Sequence, residues 1–139
     1  MIDDDLTNII LLIPNTLIKL DFDGKYKYFP LSFISNLRNL QELQLSFGYD
    51  ECFKDFEKLQ YVILPQLQIL KIQFAYPRTE LLIKFLEING RNLKELYLGD
   101  IKGNSDDLLN LAIAKFCTNL RKLSTRFKND ELKMLKTVF

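Results

Sequence analysis

The chain has 139 residues, of which 27 are leucine and two are valine, with no histidine and no tryptophan. That length argues for one domain. Without histidine there is no Ser-His-Asp or Cys-His nucleophile system and no histidine-ligated metal. Two cysteines cannot build a four-cysteine zinc site or a disulfide framework.

The formal charge is +1, so no global field points to nucleic acid or an anionic membrane. The halves differ. Residues 1–70 carry six Lys/Arg and ten Asp/Glu, and residues 71–139 carry thirteen and eight. Such a dipole reads as solvated helix faces or as a steering field for an acidic partner. The start, Met1-Ile2-Asp3-Asp4-Asp5, is the opposite of a basic signal-peptide region. The apolar run Ile9–Ile13 is five residues, too short to cross a bilayer. Cys52 and Cys117 read as separate reduced thiols, which makes a cytoplasmic or nuclear location the expectation.

Along the chain, Leu6–Ile13 reads as the convex segment of a preceding unit, a crude cap over residues 1–13. A pattern Leu-x-x-Leu-x-apolar then recurs. It begins as Leu17-Ile18-Lys19-Leu20-Asp21-Phe22 and returns as Leu40-Gln41-Glu42-Leu43-Gln44-Leu45. It continues as Leu67-Gln68-Ile69-Leu70-Lys71-Ile72, Leu93-Lys94-Glu95-Leu96-Tyr97-Leu98 and Leu120-Arg121-Lys122-Leu123-Ser124-Thr125. The leading leucines are 23, 27, 26 and 27 residues apart. That period lies within the range of about 20–29 residues for leucine-rich repeats. Alternation within each unit, as in Leu43 and Leu45, predicts a short strand with one buried face.

Helices are expected between strands. Pro30 starts a short one over Leu31–Leu37, and Asp50 or Glu51 starts another with Phe53 and Phe56 inward. Thr79 or Glu80 opens a helix through Ile88, with Gly90 at its C-cap. Ser105 is an N-cap for Asp106–Cys117, with Leu108, Leu109, Ala112 and Phe116 on one face and Asp106 and Asp107 in the first turn. Asn129 or Asp130 opens a final helix through Leu132 and Leu135, and residues 129–139 read as the start of an incomplete repeat. The expected fold is a single α/β leucine-rich-repeat solenoid over residues 1–139. It has about five strand–helix units, a parallel concave sheet and convex helices, and reads as an array cut mid-repeat.

The segment Ser105-Asp106-Asp107-Leu108-Leu109-Asn110-Leu111-Ala112, followed by Cys117-Thr118-Asn119-Leu120-Arg121-Lys122-Leu123, resembles a known repeat subtype. It is similar to the ribonuclease-inhibitor-like, cysteine-containing repeats of F-box proteins, and the texture resembles the fungal sets. Arg38-Asn39-Leu40 and Arg91-Asn92-Leu93 match the Asn-Leu part. Only Cys117 fills the cysteine position, since the third unit reads Asn89-Gly90 there, and no F-box module is present in the sequence. The resemblance implies substrate-recognition repeats of an F-box-type SCF ubiquitin-ligase adaptor lacking its F-box. Its partners would be a protein target and, through the missing module, ligase components.

Catalysis has little to work with. Asp21/Asp23 share a strand face, Asp106/Asp107 sit at a helix start, and Cys117 has no base beside it. No Walker A loop or dinucleotide fingerprint occurs. The expectation is a non-enzyme with no cofactor and no metal. Binding is the live class. Stacking the units places residues in three concave columns. The middle one is Asp21, Gln44, Lys71, Tyr97 and Ser124. On one side lie Lys19, Glu42, Ile69, Glu95 and Lys122. On the other lie Asp23, Ser46, Gln73, Gly99 and Arg126. Tyr97 and Ile69 are expected to stand out as large exposed anchors. Arg121, Lys122, Arg126 and Lys128, with Phe127 among them, are a weaker nucleic-acid patch. A binding or inhibitor scaffold unrelated to ubiquitin, or a non-functional repeat fragment, remain alternatives.

Overall fold

A computed structural model describes residues 14–24, 31–47, 56–74, 77–99 and 107–124. Within them, five strands form one parallel sheet in chain order: β1 (Lys19–Gly24), β2 (Glu42–Phe47), β3 (Ile69–Phe74), β4 (Glu95–Leu98) and β5 (Lys122–Ser124). Each strand carries the second leucine of one copy of the repeated pattern. The α/β leucine-rich-repeat fold expected from the period is the fold observed.

The register explains the pattern. Leu20, Leu43, Leu70, Leu96 and Leu123 pair in sequence from strand to strand, so their side chains stack in one column. Phe22, Leu45, Ile72 and Leu98 make the second inward column. In β2, β3 and β4 these residues are sealed, whereas Leu20, Phe22 and Leu123 are only partly buried. Among the described residues the inner strands have sheet neighbours on both sides, and β1 and β5 have one each.

Before each strand the chain makes the same turn. The amides of Leu17, Leu40, Leu67, Leu93 and Leu120 donate to the carbonyls three residues earlier, at Pro14, Leu37, Leu64, Gly90 and Cys117. Leucine at that position drops into the core as the turn closes: Leu40, Leu67 and Leu93 are fully buried. The asparagine before it bridges units. Asn39 Nδ2 donates to the Asn15 carbonyl at 3.4 Å, Asn92 to Pro65 at 3.2 Å and Asn119 to Arg91 at 2.7 Å. These side chains satisfy backbone acceptors that the turns leave open.

The convex layer opposes the sheet. In the early units it is tighter than an α-helix: a 3-10 helix at Leu31–Asn36 buries Leu31 and Ile34. A second 3-10 turn at 56–59 buries Phe56 and Leu59. Later come α1 (Thr79–Asn89) and α2 (Asp107–Phe116). Phe56 and Phe85 meet with ring centroids 5.7 Å apart, tying the second turn to α1.

Two local expectations hold and one is corrected. Gly90 is the C-cap of α1, its amide donating to the Leu86 carbonyl; with a φ of −63° it also begins a further 3-10 turn, Gly90–Asn92. Thr79 opens α1 as expected, and the Arg78 carbonyl accepts from the Leu81 and Leu82 amides. The buried stripe of α2 is Leu109, Asn110, Ala112 and Ile113, while Leu108 is 69% exposed and Phe116 half-buried. The stripe follows the 27-residue offset from Leu82, Phe85 and Leu86, and Leu108 lies one residue, about 100°, off it.

The cap-like segment 1–13, the helix expected over 129–139, the caps at Ser105, Asp50 and Glu51, and Pro30, Phe53, Cys52, Asp106 and Thr125 lie outside the described residues.

Candidate binding face

The outward positions of the strands form the expected columns. Lys19, Glu42, Ile69, Glu95 and Lys122 pair in register, as do Asp21, Gln44, Lys71, Tyr97 and Ser124. Asp23, Ser46 and Gln73 begin the third column. Gly99 continues the ladder through its amide, which donates to the Ile72 carbonyl at 2.9 Å. Arg126 lies outside the described residues, as do Phe127 and Lys128 of the basic patch.

Strand alternation alone sets this face. With Leu43 and Leu45 inward, Glu42, Gln44 and Ser46 must point outward. Neighbours in the columns then interact. Lys19 Nζ lies 2.9 Å from Glu42 Oε2, across β1 and β2. Gln44 Nε2 donates to Ser46 Oγ, and Ser46 Oγ donates to Gln73 Oε1, both at 3.4 Å. Lys71 Nζ sits 5.2 Å from the centre of the Tyr97 ring, its register partner on β4. The Tyr97 hydroxyl donates to Glu95 Oε1 at 2.5 Å, and this bond raises the phenol above its ordinary value of 10.

Exposure runs differently from the expectation for the two large residues. Tyr97 and Ile69 are half-buried, because flanking strands cover their sides. Tyr97 is held between a carboxylate, bonded to its hydroxyl, and an ammonium near its ring. Lys19, Asp21, Asp23, Lys122 and Ser124, on the outer strands, are exposed. On β1 and β2 the columns hold three carboxylates (Asp21, Asp23, Glu42) and one lysine (Lys19). On β3 to β5 they hold two lysines (Lys71, Lys122) and one carboxylate (Glu95). The charge asymmetry of the chain reappears across the sheet.

A further column is missed by counting strand positions alone. The residue after each leading leucine lies on the rim where the strands begin: Ile18, Gln41, Gln68, Lys94 and Arg121. From Gln41 onward, each amide in it donates to the preceding member's carbonyl, at 2.7 Å to 2.8 Å. Aligning the repeats by their leading leucines is the signal that finds it.

Burial pushes the Cys117 thiol up to about 12, and its side chain is fully enclosed. Among the described residues no group of three or more His, Cys, Asp or Glu could hold a metal ion, and no helix is long and apolar enough to cross a membrane.

Comparison with known proteins agrees on architecture. The chain is similar in structure to the C-terminal domain of tropomodulin from Caenorhabditis elegans, with a TM-score of 0.62 and 12% sequence identity. The match covers 97% of this chain and 89% of that one. At that identity the likeness is one of fold, a leucine-rich-repeat-like stack. No protein-family model matches the sequence. No curated protein matches it either.

Proposed function

We propose that the chain is a non-catalytic protein-interaction scaffold that presents the outward columns of its sheet to a protein target. The observation that carries this reading is the Lys71–Tyr97–Glu95 cluster at the centre of the face. It is an aromatic residue locked by two charged neighbours and ringed by polar side chains. Rigid aromatic anchors within a polar rim are what binding hot spots are made of. The enclosed, high-pKa Cys117 and the absence of histidine from the sequence support a scaffold over a catalyst.

The narrower proposal follows the repeat subtype. The scaffold serves as the substrate-recognition repeats of an F-box-type SCF ubiquitin-ligase adaptor, with the target held for ubiquitin transfer by other subunits. Cys117 followed by Asn119-Leu120 supports it.

Affinity purification of the tagged chain from its native source tests the broad reading. A partner retained by the wild type and lost with Tyr97→Ala and Lys71→Ala supports it; equal retention by the variants overturns the assignment of the face. For the narrower reading, the genomic sequence upstream of Met1 decides. An F-box there, with co-purification of the ligase adaptor and cullin subunits, supports it. A signal peptide there leaves a scaffold unrelated to ubiquitin. A chain with no cooperative thermal transition would instead mark a non-functional fragment.

A further inference from the structure

We propose that the rim of the stack, at the N-terminal ends of β3, β4 and β5, holds a binding site for a phosphate monoester. This goes beyond the concave-face reading and does not depend on it. A cleft of about 390 Å³ opens there, and Gln68, Arg91, Asn92, Lys94, Asn119 and Arg121 contribute to its walls. That size is at the lower end of small-molecule sites, which run from about 300 Å³ to 1,000 Å³. It suits a phosphate group with the atoms that carry it, rather than a long peptide.

The repeats place the cations. Along the rim column the side chain changes from Ile18 to Gln41 to Gln68, then to Lys94 and Arg121. Positive charge therefore appears only in the last two of the five units, one strand spacing apart. Arg91 joins them from the 3-10 turn Gly90–Asn92. No Asp or Glu lines the cleft. The ion pairs among the described residues engage Lys19, Arg78 and Lys84 instead. Lys94 is half-buried, and no ion pair among the described residues engages it. A cleft with three cations and no acidic lining favours an anion arriving from outside.

The frame of the site is fixed before any ligand arrives. Asn119 Nδ2 donates to the Arg91 carbonyl, and Asn92 Nδ2 to that of Pro65. The Arg121 amide donates to the Lys94 carbonyl at 2.7 Å. Backbone and amide side chains are thereby spent on holding the three turns in register, which leaves the cationic side chains for the ligand.

Phosphate is favoured over carboxylate by charge and shape. A phosphate monoester carries close to two negative charges above its second pKa of about 6. Its oxygens pair with guanidinium forks in the bidentate way that two arginines offer. A single carboxylate would leave most of the positive charge of Arg91, Lys94 and Arg121 uncompensated.

The test is an NMR titration of the full chain with inorganic phosphate, glucose 6-phosphate, an O-phosphoserine peptide flanked by glycines, and acetate. Saturable shifts confined to residues 66–68, 91–94 and 119–121 are expected with phosphate, tighter at pH 7.5 than at pH 5.5. The double variant Lys94→Gln/Arg121→Gln should weaken binding about tenfold or more. Arg38→Gln, on the rim of the second unit, should not. The tighter binder of the sugar phosphate and the peptide names the source. Shifts spread over all surface lysines and arginines, equal binding of acetate, an undiminished double variant, or no binding of any phosphate would each overturn the proposal. Tyr97→Ala should leave phosphate binding intact, so the failure of either reading is separable from the other.

Discussion

A Cβ placed on Gly90 would sit 3.0 Å from Cys117 Sγ and 3.2 Å from the Phe116 carbonyl oxygen. The two residues occupy equivalent positions in consecutive units, 27 apart, and one is small because the other is larger. The ordinary φ of Gly90 means that backbone conformation does not call for glycine here; the tight contact is what an added side chain would meet. Gly90→Ala gains up to about 1 kcal/mol from reduced chain freedom but must displace backbone, which costs about 1–3 kcal/mol. We expect net destabilisation, read by chemical denaturation. Cys117→Ala should recover part of it, so the double variant will cost less than the sum of the singles.

Asn89 fastens α1 to the segment before β3. Its Oδ1 accepts from the Leu64 amide at 2.8 Å, and its Nδ2 donates to the carbonyls of Val62 at 2.7 Å and Phe85 at 3.2 Å. Asn89→Ala leaves a buried amide and a carbonyl unsatisfied, a loss of about 1–3 kcal/mol for each group. Asn89→Asp keeps the acceptor but loses the donor and buries a carboxyl group. Its stability should therefore improve as pH falls and the acid protonates. Parallel melts at pH 4.5 and pH 7.5 check this; no pH dependence beyond that of the wild type would contradict it.

Cys117 should be inert while the chain is folded. Its thiol, at about 12, stays protonated at pH 8, whereas an unfolded thiol ionises from its ordinary value near 9. In a Cys52→Ser background, alkylation at pH 8 should proceed only at the rate of unfolding and accelerate in denaturant. The raised value also fixes a sign. The contribution of Cys117 to stability is complete below pH 9 and is lost between pH 9 and 12, as the unfolded thiol ionises and the folded one does not.

Tyr97 should titrate late. Its hydrogen bond to Glu95 is made by the neutral phenol, so ionisation in the folded chain is deferred above 10. That contribution is present below the ordinary phenol value and lost as pH rises through the folded one. The difference in ultraviolet absorbance between wild type and Tyr97→Phe isolates this tyrosine. Glu95→Gln should move its midpoint down, and an unchanged midpoint would show that the bond does not form in solution.

The repeat phase was legible because leucine marks it twice per unit. The leading leucine closes a turn, and the second faces the core, so five copies fix strand positions and columns together. Leu108 misled because local helical spacing is satisfied by two neighbouring stripes, and only packing against the sheet and α1 chooses between them. Gly90 caps α1 where the sequence places it, but its close approach to Cys117 was not legible, because that partner is 27 residues away. The rim cleft was hidden for a related reason: Arg91, Lys94 and Arg121 belong to different units and look like scattered surface charge until the turns align.

By itself, then, the sequence determined that the chain is a stack of strand–helix units and which residues face outward, since period and alternation are local and survive any detail of packing. Tertiary structure decided what those residues do to each other. It set Lys71 over Tyr97, enclosed Cys117 against Gly90, half-buried Ile69 and gathered three cations on one rim. Each of these depends on distances between units, and distance across a stack is a property that no single repeat encodes.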